Sequence, residues 1–376
     1  MKHTTPLILS HFLFLWLIQP IPSHAFDSIF SFGDSHTDTG NINILAKKLA
    51  RSVYSDNLPY GQTFFHRPSG RYSDGRLIVD FLAEEFDLPY LKPYLGKNGT
   101  FRQGANFAVD GATALDPTFF KQHNLTDDVS PVSTSISSQL QWFKELKPKL
   151  CQTMKECRDY FGRSLFFVGL IEGRDYIEMY PELRLMMSYA PAIIQIIAGT
   201  VKELLDEGAR TVVVSGNMPM GCLPSILTAL KFRDDKSNSS YDRNTGCIKR
   251  YNILSTYHNS LLFKAVKELR VKYREAKIIY ADFYGPVMNF VRFPQRFGFT
   301  SKPLLVCCGK GGEYNWFPDK MCGSPNVTAC QNPSAYLNWD GLRLTEASYR
   351  YIARSWLRGP CANPPIIDGH AKEDSP

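Results

Sequence analysis

Short apolar runs, spaced by helical stretches, limit this chain most. Ser164–Val168, Thr211–Ser215 and Lys277–Ala281 are strand-length runs with apolar centres. Ile29–Phe32 and Gly104–Val109 are earlier runs of the same kind. Strands that are apolar on both faces belong to sheets covered by helices on both sides. The intervening sequence supplies the helices: Leu77–Phe86, Ser135–Leu146, Pro191–Glu207, Tyr251–Arg274 and Thr345–Leu357. Strands alternating with helices predict an α/β fold, a three-layer α/β/α sandwich around one parallel, doubly wound sheet. In such a sheet the ligand site lies at the carboxyl ends of the strands. No repeat, linker or internal boundary interrupts the pattern. Residues 26–362 are expected to form one domain, with 363–376 a flexible tail.

Residues 1–25 stand apart from this pattern. Lys2 and His3 precede the apolar run Leu7–Ile18, Pro20 and Pro22 break it, and Ser23-His24-Ala25 is a small-residue cleavage site. This is the layout of a secretory signal peptide. The run is too short for a membrane span, and with no second long apolar run the mature chain is expected to be soluble. Asn98, Asn124, Asn238 and Asn326 each begin a glycosylation sequon in loop-like sequence. All nine cysteines lie in the mature part and should mostly pair in an oxidising compartment. A Cys151–Cys157 bridge and bridges within the Cys307–Cys330 region fit the spacing, with the full connectivity open and one thiol left over. No Cys-x-x-Cys spacing or histidine cluster points to a metal, and no cofactor motif is present. The net charge of +7 is spread along the chain, and the Lys47-Lys48 and Lys144–Lys149 groups read as solvated helix faces. No nucleic-acid partner is expected; a small molecule is, and the chain is expected to be a monomer.

The first apolar run breaks abruptly into Gly33-Asp34-Ser35-His36-Thr37-Asp38-Thr39-Gly40-Asn41. Gly33 permits a tight turn, Asn41 suits the N-cap of a helix over Ile42–Arg51, and Ser35 is presented at a strand end. Two more turns fall at strand ends: Asp110-Gly111 and Gly173-Arg174-Asp175. Further strings follow in order: Gly70-Arg71-Tyr72-Ser73-Asp74-Gly75-Arg76, Gly104 to Leu115, Cys307-Cys308-Gly309 with Pro318-Asp319, and Asn338-Trp339-Asp340-Gly341.

Together these strings resemble the GDSL esterase/lipase family of the SGNH-hydrolase superfamily, in its secreted plant form, nearest the acetylajmalan-esterase and sinapine-esterase type. The resemblance runs from about residue 27 to 355. It implies the flavodoxin-like SGNH fold and a serine hydrolase site. Ser35 falls at the nucleophile position, with Asp34 beside it, and Ser35 N–H and Gly111 N–H at two oxyanion positions. The family's third oxyanion donor is an asparagine, and Arg174 stands in its place. The family's triad acid falls on Asp340, and Arg343 stands where the histidine base belongs.

These departures matter chemically. A serine hydroxyl needs a base to take its proton as it attacks. Arginine is always protonated and has no acceptor atom. Losing a triad member lowers the rate by about 10⁴–10⁶, and losing one oxyanion donor by about 10²–10³. Arg343 has Asp340 as a ready partner; Arg174 has Glu172 or Asp175. Alternatively both arginines face Ser35 and hold an anion. The expectation is a protein of plant specialised metabolism whose ester hydrolysis is lost or strongly weakened. Its pocket would bind or convert a small, acidic or alkaloid-type metabolite by non-hydrolytic chemistry. The alternatives are an active carboxylesterase or acyltransferase with a base from elsewhere, and a non-catalytic cell-wall or defence protein. The expected location is the apoplast, with the vacuole as the other destination.

Overall fold

The structure is a computed structural model that describes residues 26–96, 99–125, 134–171, 173–180, 182–231 and 240–367. The expected signal peptide and the sequons at Asn98 and Asn238 lie outside the described residues. In chain order the elements are β1 (Ser28–Phe32), α1 (Asn41–Lys48), α2 (Ile78–Glu85), β2 (Gly104–Asn106), α3 (Pro117–Gln122), α4 (Ile136–Leu150), α5 (Met154–Gly162), β3 (Ser164–Val168), α6 (Gly173–Glu178), α7 (Leu183–Asp206), β4 (Thr211–Ser215), α8 (Pro224–Lys231), α9 (Lys249–Lys272), β5 (Lys277–Ala281), α10 (Tyr284–Arg292), β6 (Cys308–Gly309), β7 (Thr328–Ala329), α11 (Glu346–Arg358) and β8 (Ala362–Asn363).

The main sheet has six strands in the order β2-β1-β3-β4-β5-β8, and β1 to β5 are parallel. Chain direction across the sheet reverses between β1 and β3. That is the switch point where a crevice opens beyond the strand ends. All residues of β1, β3 and β4 are buried, including Ser28 and Ser31 of β1, as helices on both faces require. Phe30 and Phe32 meet Phe107, Phe143, Phe161 and Phe166 in one aromatic cluster under α4 and α5.

The structure departs from the sequence expectations in four places. The sheet is not wholly parallel, because β8 pairs antiparallel with β5. The chain therefore stays ordered beyond Ala362: Ile366 is buried and its N–H donates to Trp356 O at 3.0 Å, so the expected tail begins too early. Helix α7 starts at Leu183 and runs through Pro191. Its buried stripe of Met186, Ala190, Ile193 and Ile197 packs inward and overrides the proline as a start signal. This helix is long and apolar enough to cross a membrane, an apolar stretch the sequence reading did not register; its buried stripe and packing against α9 account for that composition. Finally, α10 is a helix for which the sequence offered no element, burying Val287, Met288, Phe290 and Val291.

Four disulfides close Cys151–Cys157, Cys222–Cys247, Cys307–Cys330 and Cys308–Cys322, leaving Cys361 free. The adjacent cysteines 307 and 308 thus staple one loop-rich segment twice, where the two-residue strands β6 and β7 pair and the N–H groups of Cys307 and Cys308 donate to the carbonyls of Asn338 and Trp339. Lys144 and Lys147 are not merely solvated; they pair across to Glu203 on α7 and to Glu207 at its C-terminal cap.

Candidate active site

The turn after β1 is fixed from three sides. Gly33 has φ +148°, and a Cβ there would stand 2.9 Å from Leu170 O. The Gln139 side chain on α4 receives Gly33 N–H at 2.9 Å and donates to Gly33 O at 2.8 Å. Asp34 N–H donates to Leu170 O at 2.8 Å, which joins the turn to the end of β3. Beneath it lies the buried Asp38 carboxylate. It accepts from the N–H groups of Gly40 and Asn41 at 2.7 Å, Ile42 at 3.1 Å and Asp110 at 2.9 Å. Asp38, not Asn41, therefore satisfies the start of α1. Asn41 instead donates to the carbonyls of Asn106 and Ala108, both at 2.9 Å. Burial pushes the Asp38 carboxyl up to about 7, while its backbone donors pull the other way. Asp38 and Asn41 together lock the turn bearing Ser35 to the turn bearing Gly111.

Among the described residues, the N–H groups of Ser35 and Gly111 donate to no protein acceptor. Both residues line a cavity of about 1290 Å³, which also takes in Asp34, Asp110, Arg174 and Arg343. A pair of free backbone donors at a cavity wall is the geometry that holds a developing oxyanion.

A family model for GDSL-like lipase/acylhydrolase matches residues 29–356. The chain belongs to this GDSL family. A GDSL esterase/lipase of Arabidopsis thaliana is 44% identical over 363 residues, covering 93% of this chain and 95% of that protein. A second Arabidopsis GDSL esterase/lipase is 43% identical over 346 residues, covering 90% and 87%. A protein named sinapine esterase, from Brassica napus, is 41% identical over 344 residues, covering 90% and 87%.

In this GDSL chain the partner of Ser35 is an arginine. Arg343 Nε–H donates to Ser35 Oγ at 3.0 Å. Its Nη2 pairs with Asp110 Oδ1 at 2.5 Å and its Nη1 with Asp340 Oδ2 at 3.3 Å. The Tyr72 ring lies 4.3 Å from the guanidinium carbon. Asp340 is held in turn: Oδ1 accepts from the N–H of Leu342 at 3.1 Å and Arg343 at 2.9 Å, and Oδ2 from Tyr60 Oη at 2.8 Å. Burial alone would lower the proton affinity of Arg343. Asp110 and Asp340 more than reverse this and hold it charged, well above its ordinary value. Burial and Asp340 likewise push the Tyr60 hydroxyl well up.

Arg174 also lines the cavity, and it pairs with Glu178 one turn along α6. Glu172 lies outside the described residues, and Asp175 accepts from the N–H of Ala114 and Leu115 at 2.8 Å each. Arg174 Nε is buried without a hydrogen bond.

No histidine among the described residues is hydrogen-bonded to Ser35. His36 Nδ1 lies 3.0 Å from Asp34 Oδ1, and its buried Nε2 has no partner. His66 and His123 bond the carbonyls of Gln62 and Phe119 near the surface. His258 on α9 meets Tyr176 Oη of α6 at 2.8 Å, seating the helix that carries Arg174. Burial pushes His258 down to about 3. The unfolded chain binds a proton there near pH 6.5, and the native state does not until about pH 3. Stability is therefore lost as pH falls through this window, at up to about 1.4 kcal/mol per pH unit. Thermal unfolding of His258→Gln between pH 7 and 4 is expected to vary with pH less steeply than the wild type.

The sequence reading missed Asp38, Tyr60, Tyr72 and Asp110. Asp110 carried a signal, since it adjoins Gly111. Tyr72 lies in the Gly70–Arg76 string, whereas Tyr60 is joined to the site only by the fold. Among the described residues, no group of three His, Cys, Asp or Glu side chains is placed to hold a metal. Asn124 and Asn326 are both exposed.

Proposed function

We propose that this GDSL-family protein has lost, or strongly weakened, ester hydrolysis through Ser35, and that its cavity binds or converts a small metabolite by non-hydrolytic chemistry. The observation that carries this is the direction of one hydrogen bond. A hydrolytic serine donates its proton to a base, whereas here a permanently charged Arg343 donates into Ser35. The triad acid position, Asp340, is occupied in holding that arginine.

Charge supports an alkaloid-type ligand over an acidic one. Asp34, Asp110, Asp340 and Glu178 stand in or directly behind the cavity wall, against Arg51, Arg174 and Arg343. The two inner guanidiniums are already paired, which removes the reason for an acid to bind between them. Four disulfides fit an oxidising compartment. That supports secretion to the apoplast or vacuole, with glycans on Asn124 and Asn326.

The free N–H groups of Ser35 and Gly111 favour the second reading, an active esterase or acyltransferase with another base, as do the names of the relatives. Short-chain aryl esters separate the two. Wild type and Ser35→Ala are expected to turn them over at the same background rate. Robust turnover abolished by Ser35→Ala would establish the second reading instead.

A further inference from the structure

We propose that Ser35 works as a hydrogen-bond donor, and that its hydroxyl, its own N–H and the N–H of Gly111 together receive the carbonyl oxygen of an uncharged or cationic ligand. This rests on the reading above, that Ser35 no longer attacks esters.

A serine hydroxyl has one proton and two acceptor lone pairs. Arg343 Nε–H fills one lone pair at 3.0 Å. The hydroxyl proton has no acceptor among the described residues. A charged donor pointing into Oγ occupies a lone pair that attack would use, and it makes the hydroxyl a stronger donor, since linked hydrogen bonds polarise one another. The arginine that disables the nucleophile thereby improves the donor. Ser35 is 5% exposed on the cavity wall, so its proton is turned to whatever fills the cavity, and no acceptor among the described residues competes for it. The two free backbone N–H groups stand on the same cavity wall.

The neighbouring charge selects the ligand. Nε and Nη2 form one edge of the guanidinium, so Ser35 Oγ and the Asp110 carboxylate are received side by side. A ligand carboxylate placed on Ser35 would meet Asp110. A ketone, lactam or ester carbonyl would not. The rest of the wall includes Leu58, Ile177, Met218, Met220, Leu223 and Met321. It suits an apolar body, and methionines adapt readily to irregular shapes. The ligand class is thus an apolar or amine-bearing molecule with one accessible carbonyl. Arg343 is a positioning residue, acting on that carbonyl through Ser35.

Three probes of one shape test this: 2-acetylnaphthalene, 2-naphthoate and 2-ethylnaphthalene. Binding to the full chain is measured by calorimetry, with the carbonyl stretch of ¹³C-labelled ketone read by infrared difference. A fluorophosphonate assay runs in parallel and reads nucleophilicity alone. Wild type is expected to bind the ketone more tightly than either other probe and to lower its carbonyl stretch. Ser35→Ala is expected to weaken the ketone about three- to tenfold, the value of one neutral hydrogen bond, and to reverse much of the infrared shift. No ketone binding, unchanged ketone affinity in Ser35→Ala, or tighter binding of the naphthoate would each overturn the inference. Rapid labelling of wild-type Ser35 by the fluorophosphonate would instead overturn the loss of nucleophilicity beneath it.

Discussion

Arg343→His, combined with Arg174→Asn, is expected to raise turnover of short aryl esters by about 10³-fold or more, within the range that triad and oxyanion groups contribute. The geometry favours it. Arginine Nε and histidine Nε2 are both four bonds from Cα. An imidazole at position 343 therefore brings Nε2 near the place now held by a nitrogen 3.0 Å from Ser35 Oγ, a separation suited to a general base. Asp340 is already oriented by Tyr60 and two backbone N–H groups to receive the other ring nitrogen. Among the described residues, nothing accepts from the N–H groups of Ser35 and Gly111. The gain is measured as kcat/KM and should vanish when Ser35→Ala is added. A folded double variant that neither gains activity nor accepts a fluorophosphonate would show that the cavity differs from a hydrolase in more than two side chains.

The second large effect is on stability. Asp38→Ala is expected to destabilise the protein by more than about 4 kcal/mol, since buried donors left unsatisfied cost about 1–3 kcal/mol each. Its carboxylate accepts four backbone N–H groups in the fully buried corner between the Ser35 and Gly111 turns. The expected result is a fall in Tm on the order of 10 °C, with loss of ligand binding because the two turns separate. Asp38→Asn keeps one acceptor oxygen and should fall between. A shift of only a degree or two for the alanine would mean that water takes over the corner.

Strands β3, β4 and β5 were legible because each is a five-residue run with an apolar centre, and they fall where those runs lie. Strand β8 was not, because two residues carry no period, and its pairing depends on the chain doubling back after α11. Helix bounds erred where proline misled, since a buried stripe outweighs one missing N–H in α7. In the site, Ser35, Gly111, Arg174, Asp340 and Arg343 were legible as positions, and all but Asp340 line one cavity. The partners of Arg343 were not legible as a set. Asp110 is 233 residues away and Tyr60 is 280 from Asp340. That clamp decides between an open anion site and a neutralised one, and sequence spacing could not reveal it.

The double staple at Cys307 and Cys308 has an evolutionary consequence. Met321, Gly323, Ser324 and Pro325 form part of the cavity wall, and all lie within the loop closed by Cys307–Cys330. Two covalent bonds tie that stretch to the core through the buried Cys307, Cys308 and Cys322, and Met321, Gly323, Ser324 and Pro325 are not core residues themselves. Its side chains are therefore free to diverge without unfolding the domain. It forms an interchangeable cassette: exchanging those four residues would reshape that wall of the cavity without touching the Ser35 corner.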